Sequence, residues 1–322
     1  MNALDLFCGC GGLSLGFEKA GVNVVVGIDS WQDAINTFNF NHKNSKGLCK
    51  DLSKMKPQYI ESELDGKTID IIIGGSPCQG FSVAGKRIVD DERNKLYKNF
   101  VKFVAYYKPK AFVLENVPNI LSIGDGLIRD SIVKDFSYLG YNVQYKVLMA
   151  SDYGTPQNRR RAIFVGLLNE KFEFPAKSVE KYTTSFEALS DLPEKSVDDW
   201  SRYPSKPLSD YQKKMRTASQ ILYNHQITEH NAKTIAIISK VPDGGNYKDL
   251  PMELQNTRRV HIAWTRLNSP KPSFMIDTGH RHHFHYKYNR IPTVRESARI
   301  QSIPDDFIFL GSRTSQYKHE KL

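Results

Sequence analysis

Short apolar strands alternate with amphipathic stretches through roughly the first 170 residues, and this alternation constrains the fold more than any other feature. Asn2–Phe7 reads as a strand, and helical spacing follows over Leu13–Ala20 until Gly21 stops it. Val22–Ile28 predicts a second strand and Trp31–Asn41 a second helix. The Ile71-Ile72-Ile73 run within Asp70–Ile73 is the pattern of a strand buried on both faces. Helices at Tyr97–Tyr107 and Gly126–Leu139 and strands at Ala111–Leu114, Gln144–Met149 and Ala162–Leu167 continue the rhythm. The expected class is therefore α/β, with a doubly wound, mostly parallel sheet.

Beyond about Phe172 the rhythm breaks, and regular structure resumes only near Thr293–Ile303. We expect an α/β domain over 1–173, a smaller loop-rich lobe over 174–287 and a return segment over 288–322. From Arg258 to Arg290 there are seven Lys or Arg against one acid, and five of the nine histidines. With a net charge of +10, that favours a polyanionic partner, nucleic acid ahead of membrane. No apolar run approaches the roughly 18 residues needed to span a bilayer, and the N-terminus lacks a signal peptide's basic region, so a cytoplasmic location is expected. Cys8, Cys10, Cys49 and Cys78 make no disulfide framework. No metal site is expected either, because Cys8 and Cys10 lack a two-residue gap and His280, His282, His283 and His285 have irregular spacing without nearby cysteines.

Four segments carry chemistry. FCGCGGLSLGF, at the first strand-to-helix turn, has the glycines that let backbone approach a ligand at a helix N-terminus; the blander reading is a tight turn. Asp29, after the second strand, suits the two hydroxyls of a ribose, and Asp51, after the third, could accept from an adenine amino group; both could equally just end strands. GGSPCQGFS leaves the Asp70–Ile73 strand at the edge where such folds bind ligands, and sets Cys78 either as an exposed thiolate nucleophile or as a small buried residue. Glu115 ends the next strand on the same edge, as reacting carboxyl or as cap. In TPQNRRRAIFVG, Gln157, Arg159 and Arg161 alternate, so one extended segment would point all three the same way. A thiol hydrolase built on Cys78 is disfavoured, since no histidine lies between His42 and His225.

In this order the segments resemble the DNA (cytosine-5)-methyltransferase family of bacterial restriction–modification type. DLFCGCGGLSLGF resembles its cofactor loop, GGSPCQGFS its nucleophile loop and ENV its acid motif. QNRRR is similar to its Q-x-R-x-R motif, and RESARIQSIPDDF to the block after its variable lobe. The resemblance implies S-adenosyl-L-methionine as cofactor and double-stranded DNA as substrate. It further implies attack of Cys78 on C6 of a flipped-out cytosine while Glu115 holds the N3 and amino edge, so that C5 accepts the methyl group. Gln157, Arg159 and Arg161 join the catalytic set, with Arg161 beside the base carbonyl and Arg159 near the thiol. Phe7, Gly9, Gly11, Gly12, Leu13, Asp29, Asp51, Leu52, Pro77 and Leu96 match cofactor-contact positions.

The resemblance makes 174–287 the target-recognition lobe, with Arg258, Arg259, Arg266, Arg281 and His283 as candidate DNA contacts. It also implies a monomer and a cognate restriction endonuclease acting on the same site. Two departures stand out. Ser30 separates Asp29 from Trp31 where the family often has an aromatic directly after the acid, and the chain reads GSRTSQYKHEKL where the family continues to a Gly-Asn-x-Val motif. The alternatives implied are an inactive DNA-binding remnant and a tRNA cytosine-C5 methyltransferase of the same fold.

Overall fold

The computed structural model describes residues 1–76, 94–198, 200–255, 264–276 and 283–312. The chain forms two compact units, Met1–Leu148 with Arg160–Ala176, and Met149–Arg159 with Lys177–Lys321.

The first unit is organised by a seven-stranded sheet. Its strands are β1 (Asn2–Leu6), β2 (Asn23–Asp29), β3 (Lys46–Cys49), β4 (Ile71–Gly74), β5 (Ala111–Asn116), β6 (Tyr141–Met149) and β8 (Arg160–Leu168), with the two-residue β7 (Gln157–Asn158) outside it. The order is β3-β2-β1-β4-β5-β8-β6. Pairing is parallel from β3 through β5, and β8 runs antiparallel to β5. The order reverses where β1 lies beside both β2 and β4, and in open α/β sheets such a switch point opens a crevice at the strands' carboxyl ends.

Helices α1 (Gly12–Lys19), α2 (Gln32–Asn41), α3 (Asn94–Tyr107) and α4 (Leu127–Tyr138) complete this unit. The core is apolar: Leu4, Val26, Ile28, Ile72 and the rings of Phe100, Phe103, Phe112 and Phe136 are buried, with Phe112 stacked on Phe136 at 3.9 Å between centroids. Gly74 is required by packing. It pairs with Leu6, and a Cβ there would overlap the Leu6 carbonyl oxygen. The sheet therefore keeps its register to the last residue of β4, and the chain leaves through Gly75 directly onto the carboxyl edge.

The second unit has little regular structure. Short helices α5 (Ser185–Leu189), α6 (Asp210–Met215), α7 (Ala232–Ile238), α8 (Met252–Gln255) and α9 (Val294–Ile300) accompany two-residue strands β9 (Ser201–Arg202), β10 (Ile221–Leu222), β11 (Thr265–Arg266), β12 (Ser273–Phe274) and β13 (His283–Phe284). α9 begins at a capping box, Thr293 with Glu296, and every one of its residues is buried. The unit's boundaries differ from those expected. Residues 149–159 leave the sheet domain, and the described part of the return segment packs in this unit, where α9 lies against α5. Among the described residues no helix is long and apolar enough to cross a membrane.

Candidate active site

The turn from β1 into α1 is built from left-handed backbone, with φ of 62° at Phe7, 52° at Gly9 and 94° at Gly11. Gly9 and Gly11 are buried, and a Cβ on Gly11 would overlap the ring of His42. Gly11 caps α1 without any side-chain hydrogen bond, which leaves first-turn N–H groups for a polar ligand. Asp29, at the end of β2, steadies the turn: its Oδ2 accepts from the Gly9 N–H at 3.0 Å and its Oδ1 from the Trp31 N–H at 2.9 Å. Each oxygen keeps a further lone pair for ribose hydroxyls. Asp51 is exposed just past β3 and accepts from the Ser53 N–H and hydroxyl, bonds that hold its carboxyl below the usual range. Gly12, Leu13, Trp31 and Leu96 are half-buried, whereas the Leu52 side chain is packed in the core and can offer a ligand only backbone. A cradle whose backbone leaves no room for a Cβ, with two carboxylates at its rim, suits a nucleoside carrying a charged amino-acid tail.

One strand over, Glu115 lies near the end of β5. Its Oε1 takes an ion pair from Nε of Arg161 on β8 at 2.6 Å, with both side chains partly shielded from water. A Cβ on Gly75 would sit 3.0 Å from Glu115 Oε2. The neighbouring Asn116 is buried and donates to the Ser76 carbonyl at 3.0 Å while accepting from the Val117 N–H at 2.8 Å. The acid is thus fixed against the segment that leads into Pro77 and Cys78, both of which lie outside the described residues.

A family model described as C-5 cytosine-specific DNA methylase matches residues 1–319. The chain belongs to that family. Relatives include the type II methyltransferase M.DdeI of Desulfomicrobium norvegicum, 37% identical over 98% of this chain and 81% of its own length. The type II methyltransferase M1.HphI of Haemophilus parahaemolyticus is 34% identical with the same coverage of both chains. Among solved structures, a putative DNA modification methyltransferase encoded within an Escherichia coli prophage superposes with a TM-score of 0.83 at 27% identity, covering 100% of this chain and 94% of its own. The Dnmt2 methyltransferase of Schizosaccharomyces pombe, with a TM-score of 0.60 at 16% identity and coverage of 100% and 93%, shares the fold. This cytosine-specific DNA methylase transfers a methyl group from S-adenosylmethionine to C5 of cytosine in DNA.

Within the methylase, several expected residues are placed differently. Gln157, Arg159 and Arg161 do not form one extended segment. The Arg159 N–H closes a tight turn onto the Gln157 carbonyl at 3.0 Å, and β7 pairs with β12 instead of joining the large sheet. Gln157 is fully buried, whereas Arg159 is half-buried and Arg161 continues into β8. Arg266, expected as a DNA contact, is not presented for one in this structure. It is buried and donates to the carbonyls of Ile238, Val241 and His285 and to the Asn289 side chain at 2.6–2.9 Å. His283 is half-buried on β13, with its ring 4.8 Å from that of Phe274, while Arg258, Arg259 and Arg281 lie outside the described residues. His280 and His282 lie outside them too, and His285 is buried between Tyr286 and Tyr288.

Two groups beside the glycine turn were given no role from the sequence. Asp5 on β1 is fully buried, and its Oδ2 accepts from the Ser14 hydroxyl at 2.6 Å. Burial, partly offset by that bond, pushes its carboxyl up to about 7. His42 closes the turn from behind. The aspartate's place at the head of DLFCGCGGLSLGF and inside an apolar strand could have flagged the first, and nothing local flags the second.

Proposed function

We propose that Cys78 is the nucleophile and Glu115 the acid that holds the target cytosine, within a DNA methylase of a type II restriction–modification system. The observation that carries this reading is the Glu115–Arg161 pair, set at the carboxyl edge of the sheet against Gly75, three residues before Cys78. The Cys78 thiolate adds to C6 of an extrahelical cytosine, and Glu115 holds the N3 and amino edge, where its negative charge favours uptake of a proton from solvent at N3 as the ring gains electron density. Arg161 holds the carboxyl in position and offers donors to the base carbonyl, and Arg159 favours the thiolate by its charge. Bound S-adenosylmethionine supplies an electrophilic methyl group; Phe7, Gly9, Gly11, Gly12, Leu13, Asp29, Asp51, the backbone of Leu52, Pro77 and Leu96 would hold it. Loss of the C5 proton and departure of Cys78 then restore the aromatic ring.

The relatives' type II names support a protective role beside a restriction endonuclease acting on the same site; that the enzyme is a monomer working in the cytoplasm is part of the proposal. Arg258, Arg259, Arg281 and His283 remain the proposed DNA contacts. The remnant and tRNA readings draw no comparable support from these relatives. Cys78→Ala is expected to abolish methyl transfer from labelled cofactor while leaving the thermal melt unchanged, and Glu115→Gln to lower kcat by two or more orders of magnitude (roughly the scale of acid–base catalysis). Turnover in Cys78→Ala, or transfer to tRNA in preference to DNA, would overturn the proposal.

A further inference from the structure

We infer that His42, held by Glu18, is a positioning residue that sets the shape of the cofactor's glycine turn. The inference rests on the cofactor reading of that turn. His42 follows α2 and is 2% exposed. Its ring stacks on Phe38 at 4.4 Å between centroids and 28° between planes. Phe38 is wedged against the sheet so closely that a Cβ on Gly27 would come within 2.5 Å of its ring. The imidazole therefore rests on a rigid floor. Its other contact surface is Gly11: a Cβ there would overlap the imidazole and come within 2.8 Å of Phe38 Cδ2. Glycine at 11 thus meets two demands, the left-handed φ and the close approach of a ring from below.

The ring's azimuth is fixed as well. His42 Nδ1 lies 2.8 Å from Glu18 Oε2, and the single Ser45 hydroxyl proton is shared between the Val24 carbonyl at 2.7 Å and Glu18 Oε1 at 3.1 Å. Glu18 belongs to α1, the helix that Gly11 caps, so one carboxylate ties the far end of that helix to the ring supporting its near end. Removing the ring leaves a void under Gly11 and frees the turn to sample conformations that no longer present its N–H groups together. The cost should fall on cofactor affinity and spare the chemical step, since His42 touches neither reacting atom.

Calorimetric titration of the full chain with S-adenosylmethionine tests this. His42→Ala is expected to weaken binding about tenfold, with kcat at saturating cofactor and DNA affinity within about twofold of wild type. His42→Phe, which returns a ring beneath Gly11, is expected to recover most of the affinity. Gly11→Ala should lose binding outright, and part of that loss should return in Gly11→Ala/His42→Ala, because the overlap with the imidazole is gone while the close approach of Phe38 and the backbone strain stay. If His42→Ala fails to fold, Glu18→Ala carries the test through an expected threefold loss. Unchanged affinity in the folded variant, an equal loss in the Ala and Phe variants, or loss shared equally with kcat and DNA binding overturns the inference. A wild-type chain that bound no cofactor would sink the cofactor reading instead; wild-type binding matched by His42→Ala sinks only this one.

Discussion

The largest fully buried side chains differ between the two units. Phe38, Phe100, Phe103, Phe112, Phe136 and Phe164 fill the first, whereas in the second Arg295 and Arg299 stand beside Phe284 and Phe309. Backbone bookkeeping explains the contrast. In the sheet unit the strand ladders satisfy buried N–H and C=O groups, so the interior can be apolar. The other unit runs through turns and two-residue strands, and its buried carbonyls need donors from elsewhere. Guanidinium offers five donors without an acceptor, which suits that need. Arg295 donates to the carbonyls of Tyr223, Pro304 and Phe307, and Arg266 does the same for three others. Arg299 instead joins Asp191 and Asp305, with Tyr203 also donating to Asp305 and Arg216 pairing with Asp191. Where regular structure is missing, arginines stand in for the ladder.

Breaking Arg299 should give the largest effect. Arg299→Met takes the shared cation from two buried carboxylates, leaving Asp191 to Arg216 and Asp305 to Arg295 and Tyr203, at an expected cost of about 3–5 kcal/mol. Phe112→Ala in the sheet should cost a similar amount, about 3–5 kcal/mol, through its cavity. Size therefore does not separate the two units, but pH does. Burial alone would raise the Asp305 carboxyl, yet Arg299 more than offsets this and keeps it low. Without Arg299 the carboxyl protonates readily in acid, so urea unfolding at pH 5 should show a smaller Arg299→Met penalty than at pH 8. The Phe112→Ala penalty should stay constant. An Arg299→Met penalty independent of pH would refute the ionic account.

The units should also respond to pH in opposite senses. Asp5 sits at about 7 when folded, above its unfolded value, so the unfolded chain ionises first as pH rises. Sheet-unit stability is then expected to fall by up to about 4 kcal/mol between pH 4 and 7. Asp5→Asn, which keeps an acceptor for Ser14, should flatten that slope and raise stability at pH 8. His285 behaves in reverse. Burial lowers it to about 4, only partly opposed by Glu296, so the unfolded chain takes up protons first as pH falls below its ordinary value. The second unit should lose about 3 kcal/mol between pH 6.5 and 4. Glu296 adds a further loss in stronger acid, below its ordinary value: burial would raise its carboxyl, but His285 and Arg290 outweigh that and hold it well below the usual range. NMR titration of His285 and denaturation followed separately in each unit would check both slopes.

The contrast also explains what could be read from the chain alone. The β/α rhythm is local, so the strands, their order along the chain and the positions of Asp29 and Glu115 at strand ends were legible. Arg266 was misread because a basic stretch looks solvent-facing, and only the tertiary fold shows which carbonyls surround it. RESARIQSIPDDF announced a return of regular structure, but not that Arg295, Glu296 and Arg299 would all be fully buried. His42 was invisible for a related reason: its role depends on an overlap with Gly11, 31 positions earlier in the numbering, and spacing carries no trace of it.

Gln157 gives the smallest effect and the finest test of the comparison. It lies in the second unit, fully buried, yet among the described residues neither its amide nitrogen nor its amide oxygen has a hydrogen-bond partner. Every buried arginine beside which it might be grouped is saturated, so Gln157 breaks the rule that polar groups there replace missing ladders. An unsatisfied buried amide costs about 1–3 kcal/mol, and an apolar group of similar shape removes that cost. Gln157→Met is therefore expected to leave stability unchanged or raise it by about 1 kcal/mol, read as a shift in the urea midpoint. If the carboxamide serves the DNA-bound state, the same variant loses methyl transfer while gaining stability. Stability lost without any change in transfer would mean that Gln157 belongs with the arginines after all, as structure and not as part of the reaction.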